Sequence, residues 1–143
     1  MAVGVLVVTG GGRGIGAATA RRAAQAGWSV CLSYRADQEA AEALAEELHG
    51  LGVTARAVRA DMSSEADIVG LFAAATELGR VAGLVANAGV VAPQGRIDEI
   101  DAARVRHLLE VNVAAPMLCC REAVRRMSTR HGGRGGSIVL ISS

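Results

Sequence analysis

A glycine-rich loop is the first place along the chain where residue types and spacing suggest chemistry. Its residues are Thr9, Gly10, Gly11, Gly12, Arg13, Gly14, Ile15 and Gly16. It lies between an apolar run over 3–9, typical of a buried strand, and a helical pattern over 15–26. Glycines let the backbone turn sharply and approach an anion, at which the helix N-terminus points. The loop therefore predicts a pyrophosphate-binding turn; a P-loop is excluded, because the chain has no lysine.

The spacing of the loop is more specific than its glycine content. Gly12, Gly14 and Ala17 fit only the loose pattern GxGxxG/A, which is a weak signal alone. Thr9, Gly10, Gly14 and Gly16 fit TGxxxGxG. That pattern resembles the fingerprint of the short-chain dehydrogenase/reductase family, so the chain is similar to enzymes that transfer hydride between a nicotinamide and a carbonyl or alcohol carbon.

Four further segments carry the resemblance at compatible spacing, and it extends over essentially the whole chain. They contain Asp61 with Met62; Asn87, Ala88 and Gly89; Asn112; and Ser143 after the run Ser137 to Ile141. The resemblance implies that Asp61 contacts the adenine, that the second segment steadies the sheet beside the adenosine ribose, and that Asn112 helps to hold a water. By the same match Ser143 is the catalytic serine.

Each of these polar residues also has a structural interpretation. Asp61 could cap the turn before the next helix, and Asn87 could be a turn residue. Asn112 could be a helix cap near Pro116, and Ser143 could be an ordinary terminal serine. Their joint order along the chain favours the functional interpretation.

The end of the second strand indicates the coenzyme. An acidic residue there would bind a ribose 2′-hydroxyl, but the strand ends in Tyr34 and Arg35. Arg35, together with Arg13 in the glycine loop, can pair with a 2′-phosphate through charge-assisted hydrogen bonds. Asp37 lies past the strand end. We therefore expect NADP(H) rather than NAD(H), with Tyr34 also in the coenzyme site.

The acid/base pair of the family, a tyrosine and a lysine beyond the serine, has no counterpart here. The chain has no lysine, and its one tyrosine is Tyr34. We therefore expect a chain that lacks the C-terminal portion of its domain and is catalytically inert alone. The alternative is a module that binds NADP(H) without turning it over. The substrate, a small carbonyl or alcohol compound, cannot be identified from these residues.

Alternating strand and helix patterns must position these residues. Strands are predicted over 3–9, 28–34, 53–60, 81–86 and 137–141, and helices over 15–26, 39–49, 64–78 and 101–127. Arg56 and Arg59 indicate that the third strand is an edge strand, whereas the fifth has the pattern of a buried strand. If the chain lacks part of its domain, we expect the edge of this fifth strand to be exposed. Ser64 and Asp67 resemble a capping box, and Pro116 predicts a break or a new first turn. The order βαβαβαβαβ predicts an α/β fold, a Rossmann-like doubly wound parallel sheet of about five strands in one domain over 1–143.

Composition excludes several other classes of function. A formal net charge of +1 gives no field to attract nucleic acid or an anionic membrane. The three cysteines have neither metal-ligand spacing nor a disulfide pattern, so we expect buried thiols, no metal and a cytoplasmic protein. Neither a signal peptide nor a membrane span is predicted.

The resemblance further implies a homo-oligomer, a tetramer or dimer, formed through the helical region 101–127, where Leu118, Cys119 and Cys120 suggest an apolar surface.

Overall fold

Five parallel strands form one sheet in the computed structural model, which describes residues 2–143. The strands are β1 (Val5–Val8), β2 (Ser29–Tyr34), β3 (Ala55–Arg59), β4 (Val81–Ala86) and β5 (Ser137–Leu140). Their order is β3-β2-β1-β4-β5, and each neighbouring pair is parallel. The order reverses at β1, because β2 and β3 lie on one side of it and β4 and β5 on the other. Such a reversal opens a crevice at the carboxyl ends of the strands beside it.

Helices cover both faces of this sheet. They are α1 (Gly14–Gln25), α2 (Gln38–Gly50), α3 (Glu65–Leu78), α4 (Ala102–Leu109) and α5 (Ala115–Met127). The pair α1 and α2 packs on one face, and α3 and α5 pack on the other. The doubly wound α/β arrangement predicted from the alternating pattern is therefore confirmed, and the strand bounds differ from the predicted ones by two residues or fewer.

The four residues of β1 show why this strand lies in the middle of the sheet. Val5 and Val7 belong to the hydrophobic cluster under α3 and α5. Leu6 and Val8 belong to the cluster under α1 and α2. All four are buried, because successive side chains of a strand point to opposite faces and both faces are covered. Burial of each such side chain contributes about 1.5–3 kcal/mol.

Side-chain caps start three of the helices. Asp37 caps α2 by accepting from the Ala40 amide at 3.1 Å, and Asp101 caps α4 at 2.7 Å. Ser64 caps α3 by accepting from the Asp67 amide at 3.2 Å. A capping box would also have the Asp67 carboxylate accept from the Ser64 amide. That part of the prediction is wrong, because Asp67 accepts from the Asp61 amide at 2.8 Å instead. The carboxylate thereby fastens the end of β3 to α3.

The predicted break near Pro116 is present, and it is longer than one residue. A turn of π-helix over Glu110–Ala114 joins α4 to α5, and Pro116 lies in the first turn of α5. Proline is tolerated there because the amide it lacks would have no partner within the helix. Single π-turns of this kind are frequent at functional sites.

The two edges of the sheet differ from each other. The strand β3 is an edge strand as predicted, and Arg59 is exposed on it. The prediction that the fifth strand is buried is wrong: β5 is the other edge, and Val139 and Leu140 are 50% and 54% exposed. Its apolar pattern is that of a strand with two covered faces, but α5 makes only limited contact with it. In the described part of the chain, no helix is long and apolar enough to cross a bilayer.

Candidate functional site

A cavity of about 550 Å³ lies at the carboxyl ends of the strands, where the order of the sheet reverses. It is lined by Gly10, Gly12, Arg13, Ser33, Tyr34, Arg35, Ala36, Asp37, Ala60, Asp61, Met62, Asn87, Ala88, Gly89, Val90 and Val111. Ten of the fourteen residues assigned to coenzyme binding from the sequence are among them. The other four are Thr9, Gly14, Ile15 and Gly16, which lie outside the lining.

The first glycine of the loop is held from two neighbouring strands. The Gly10 amide donates to Ser33 Oγ at 3.1 Å, and the Gly10 carbonyl accepts from Asn87 Nδ2 at 3.0 Å. Its φ of +62° is one that other residues rarely adopt. A Cβ here would also lie 3.0 Å from Ala88 Cα. Both conditions favour glycine at this position.

The later glycines of the fingerprint have different reasons. Gly14 begins α1 at φ +57° with open space around it, so backbone conformation alone favours glycine. At Gly16 a Cβ would lie 2.3 Å from the Gly10 carbonyl oxygen, so close packing of α1 against the loop requires glycine. Gly12 has neither constraint, because its nearest neighbour would be Ala41 at 3.5 Å. These contacts explain why TGxxxGxG is more specific than the loose pattern through Gly12.

Thr9 supports the cavity from behind. Its hydroxyl is buried and accepts from the amides of Asn87 and Ala88, both at 3.0 Å. Asn87 in turn donates to the Thr9 carbonyl at 3.2 Å. These bonds fasten the end of β1 to the segment after β4. Asn87 is therefore a structural residue as well as one that lines the cavity.

Arginines line the cavity at the end of β2. Arg35 follows the strand and is exposed, and Arg13 faces the cavity from the glycine loop. Asp37 also lines the cavity, but its carboxylate is engaged as the cap of α2. Tyr34 is half-buried beside them, and its carbonyl accepts from the Ala60 amide at 2.9 Å. Two guanidinium groups therefore lie at this rim, and the nearest carboxylate, that of Asp37, is turned to the start of α2.

Asp61 both caps a turn and lines the cavity. Its carboxylate accepts from the Ser63 hydroxyl at 2.7 Å and from the Ser63 amide at 2.9 Å, which caps the turn before α3. These hydrogen bonds, and then the positive charge of the nearby Arg35, hold the pKa of Asp61 below its usual range. It remains an ionised acceptor on the cavity wall, next to the buried Met62.

Asn112 and Ser143 lie outside the cavity lining. Asn112 is in the π-turn and exchanges two hydrogen bonds with the backbone of Val90, so it is not a helix cap. Ser143 is exposed just after β5. The Ile141 amide donates to the Ala86 carbonyl at 3.0 Å, which continues the pairing of the two strands to their ends. Ser143 therefore follows β5 at the same end of the sheet where Asn87 follows β4.

Sequence reasoning missed several residues of the cavity wall. These are Ser33, Ala36, Ala60, Val90 and Val111, and Asp37 had been set aside. Most carry no chemical signal. Ser33 could have been noticed, since a serine next to the end of a buried strand needs a hydrogen-bond partner.

The cysteines are packing residues. Burial raises the pKa values of the Cys31 and Cys119 thiols to about 12, so neither is a nucleophile near neutral pH. The prediction that Leu118, Cys119 and Cys120 form an apolar surface is wrong for Cys119, which is buried in the core under α3 and α5. Leu118 and Cys120 are partly buried against the same core. Among residues 2–143, no group of His, Cys, Asp and Glu side chains could hold a metal ion.

Comparison with known proteins relates this arrangement to one family. The sequence profile of the family described as short chain dehydrogenase matches residues 4–143. The uncharacterized oxidoreductase YgfF of Escherichia coli is 40% identical over 140 residues, which cover 97% of this chain and 57% of that protein. The chain spans about half the length of the curated relatives it matches.

Solved structures agree with the sequence match. A blue fluorescent protein from a metagenomic library, in complex with NADPH, superimposes with a TM-score of 0.90 at 34% identity. The match covers 99% of this chain and 56% of that one. A short chain dehydrogenase from Burkholderia cenocepacia, in complex with NADP, gives a TM-score of 0.88 at 34% identity, over 96% of this chain and 54% of that one.

Proposed function

The chain belongs to the short-chain dehydrogenase family, and from that premise we propose that it is the NADP(H)-binding domain of an oxidoreductase. The reaction would be hydride transfer between the nicotinamide and the carbon of a small carbonyl or alcohol substrate. The observation that carries this proposal is the cavity, which joins the glycine loop to a rim bearing Arg13 and Arg35. A loop and helix N-terminus suited to a pyrophosphate thus share one space with two cations suited to a further phosphate.

Each part of the coenzyme has a matching part of the cavity in this proposal. The pyrophosphate would lie on the loop from Gly10 to Gly16, at the N-terminus of α1. The 2′-phosphate would lie between Arg13 and Arg35, beside Tyr34, and the adenine would lie near Asp61 and Met62. Asn87, Ala88 and Gly89 would border the adenosine ribose. The NADPH and NADP bound in the two matched structures support this choice of coenzyme.

The preference for NADP(H) follows from charge at the end of β2. An NAD(H) site would present a free carboxylate to the ribose 2′-hydroxyl. Asp37 is the nearest candidate, but its carboxylate accepts from the Ala40 amide as the helix cap. Arg35 is exposed at the rim and free to approach a phosphate.

The reacting groups assigned to this chain are few. Ser143 would donate a hydrogen bond to the substrate oxygen, and Asn112 would help to hold a proton-relay water. The bound coenzyme would supply or accept the hydride. A general acid is needed as well, and the one tyrosine of the chain, Tyr34, lines the adenosine end of the cavity. We therefore expect the 143-residue chain to be inert by itself, because general acid–base catalysis is worth about 10²–10⁴-fold.

A module that binds NADP(H) without catalysis is the second candidate. The absence of lysine and the position of Tyr34 favour it, because this chain then has a coenzyme cavity and no general acid beside the nicotinamide. Turnover distinguishes the two candidates. NADPH oxidation would be followed with a panel of carbonyl substrates, for this chain and for a form extended past Ser143. Activity only in the extended form supports the enzyme, and activity in neither supports the binding module.

Calorimetric titration of the chain with NADP⁺ and NAD⁺ tests the proposed coenzyme directly. We expect NADP⁺ to bind more tightly. Equal affinities would contradict the preference for the phosphorylated coenzyme. Failure to bind either one would contradict the proposal as a whole.

Two further proposals concern the oligomeric state and the cellular location of the protein. We expect a homo-oligomer, a dimer or tetramer, because α4, the π-turn and α5 expose Leu109, Val113, Met117 and Val124 along one side. We expect a cytoplasmic location, because all three cysteines are free thiols.

A further inference from the structure

A buried serine beside the glycine loop has no role in the proposal above. Four polar or charged side chains are buried in the described part of the chain: Thr9, Ser29, Ser33 and Glu122. Of these, only Ser33 lines the cavity. Its hydroxyl is therefore the one buried side-chain group that touches both the loop and the space where a ligand would lie.

We propose that Ser33 is a positioning residue of the coenzyme site, whose hydroxyl fixes the first peptide of the glycine loop so that the loop can receive a pyrophosphate. The proposal rests on the proposed function, because it assigns a pyrophosphate to this loop. Ser33 is 1% exposed, and its Oγ accepts from the Gly10 amide at 3.1 Å. Its carbonyl accepts from the Gly11 amide at 3.0 Å. One residue of β2 thus engages the amides of the first two glycines of the loop.

The other side of the same glycine is held from β4. Asn87 Nδ2 donates to the Gly10 carbonyl at 3.0 Å, so Gly10 is fixed at both its amide and its carbonyl. This matters because Gly10 lies at φ +62°, where a glycine has wide conformational freedom. Without the Ser33 hydroxyl, the Gly10 amide would lose its partner in a part-buried place, and the Thr9–Gly10 peptide would be held only at the Thr9 carbonyl, by Asn87. The loop would then be less well fixed where it begins.

The consequence is confined to one end of the cavity. Ser33 contacts the loop at Gly10 and Gly11. The proposed 2′-phosphate and adenine subsites are formed by the side chains of Arg35 and Asp61, with that of Arg13 two residues beyond Gly11. A defect at Ser33 should therefore weaken ligands that carry a pyrophosphate and spare ligands that carry only the adenosine 2′-phosphate. Loss of Ser33 should also affect NADP⁺ and NAD⁺ alike, since both contain the pyrophosphate.

The test titrates the Ser33→Ala chain with NADP⁺ and with adenosine 2′-monophosphate, which lacks the pyrophosphate. We expect the affinity for NADP⁺ to fall roughly 5- to 30-fold and that for the monophosphate to change less than about twofold. Ser33→Thr, which keeps the hydroxyl, should restore most of the NADP⁺ affinity. Ser29→Ala is the matched control, because Ser29 is a buried serine of the same strand that does not line the cavity.

The outcomes separate a positioning role from a general structural one. Equal losses for the two ligands, or a similar loss in Ser29→Ala, would overturn the proposal, as would unchanged NADP⁺ affinity in Ser33→Ala. If the unmodified chain binds neither ligand, the proposed function fails and this inference with it. If the unmodified chain binds NADP⁺ and only the Ser33 prediction fails, the proposed function stands.

Discussion

The side chain of Asn112 forms a pair of opposed hydrogen bonds with the backbone of Val90. Its Oδ1 accepts from the Val90 amide at 2.8 Å, and its Nδ2 donates to the Val90 carbonyl at 2.7 Å. The carboxamide thus bonds both the amide and the carbonyl of one residue, as a paired strand does. It connects the π-turn to the segment that follows β4. Arg104, one helix earlier, donates to the Pro93 carbonyl. One helical region therefore fixes the segment at two points.

We expect Asn112→Ala to loosen this segment, because both bonds to Val90 are lost. The cost should be about 1 kcal/mol of local stability, as the bonds are partly exposed to water. Hydrogen exchange of the Val90 amide, measured by NMR, should become several-fold faster. Gln94→Ala removes an exposed amide side chain of the same segment and serves as the control. Unchanged protection of Val90 in Asn112→Ala would contradict the prediction.

Two glycine-to-alanine substitutions in helices should have opposite effects. Gly16→Ala would place a Cβ 2.3 Å from the Gly10 carbonyl oxygen, so backbone must move, at a cost of about 1–3 kcal/mol. Gly70→Ala, at an exposed position of α3 with open space around it, should stabilise the chain by about 0.5–1 kcal/mol through helix propensity. Thermal or urea unfolding of the two variants measures both. A neutral Gly16→Ala would show that the loop and α1 are less closely packed than described.

Arg35→Ala should weaken NADP⁺ selectively. Loss of a hydrogen bond to a charged group costs about 1.5–3 kcal/mol, so we expect NADP⁺ affinity to fall at least about tenfold and NAD⁺ affinity to stay nearly constant. Arg59→Ala is the matched control, because Arg59 is an exposed arginine at the end of β3, outside the cavity lining. Similar losses for both coenzymes would point to a role for Arg35 other than phosphate recognition.

Glu122 should make the stability of the chain sensitive to acid. Its side chain is 3% exposed, and burial raises its pKa. Hydrogen bonds from Arg126 and Arg121 and the charge of Arg125 outweigh this and lower the pKa overall. A carboxyl whose folded-state pKa is lowered stabilises the fold above its unfolded pKa of about 4.3, and the contribution disappears as pH falls through the folded value.

The variant Glu122→Gln tests this dependence. We expect its free energy of unfolding to be lower by about 1–3 kcal/mol at pH 7, because three arginines lose a charged partner. The difference from the unmodified chain should shrink as pH drops below about 4.3. Glu110→Gln, at an exposed position, should leave the pH profile of unfolding unchanged. A constant difference at all pH values would contradict the assignment.

Met117 tests the proposed assembly. It is 68% exposed in the middle of the apolar side formed with Leu109, Val113 and Val124. We expect Met117→Arg to convert a homo-oligomer to monomers in sedimentation velocity, because an arginine would be buried there without a partner. Val69→Arg, at an exposed position on α3, should leave the assembly intact. A monomer before any substitution would contradict the prediction.

The architecture could be predicted from local patterns because each strand and helix has its own periodicity. The edge position of β3 could also be predicted, from arginines that cannot lie in a core. The exposed edge of β5 is expected of a chain that lacks part of its domain, but composition alone predicts a buried strand. The residues of Ser137–Leu140 indicate only the environment for which the strand is suited. Which faces are covered depends on elements outside the strand.

The site could be predicted in outline and not in its supporting bonds. Gly10, Gly14 and Gly16 have spacing that a steric requirement explains, so the pattern revealed them. Ser33 has no such signature, since its partner Gly10 lies 23 residues away. The burial of Cys119 could not be predicted, because Leu118, Cys119 and Cys120 are adjacent and give no helical phase. Which of them face the core depends on how α5 packs against the sheet.

The central position of β1 has a consequence for how the chain folds during synthesis. Val5–Val8 is made before β2, β3, β4 and β5, yet it pairs with β2 on one side and with β4 on the other. At about 5–20 residues per second, several seconds of translation separate β1 from β4. For that time a fully apolar strand has one open edge, which only a much later part of the nascent chain can close. Such long-range parallel pairing slows folding and leaves the intermediate prone to aggregation, so β4 is the segment whose emergence should commit the chain to its native sheet.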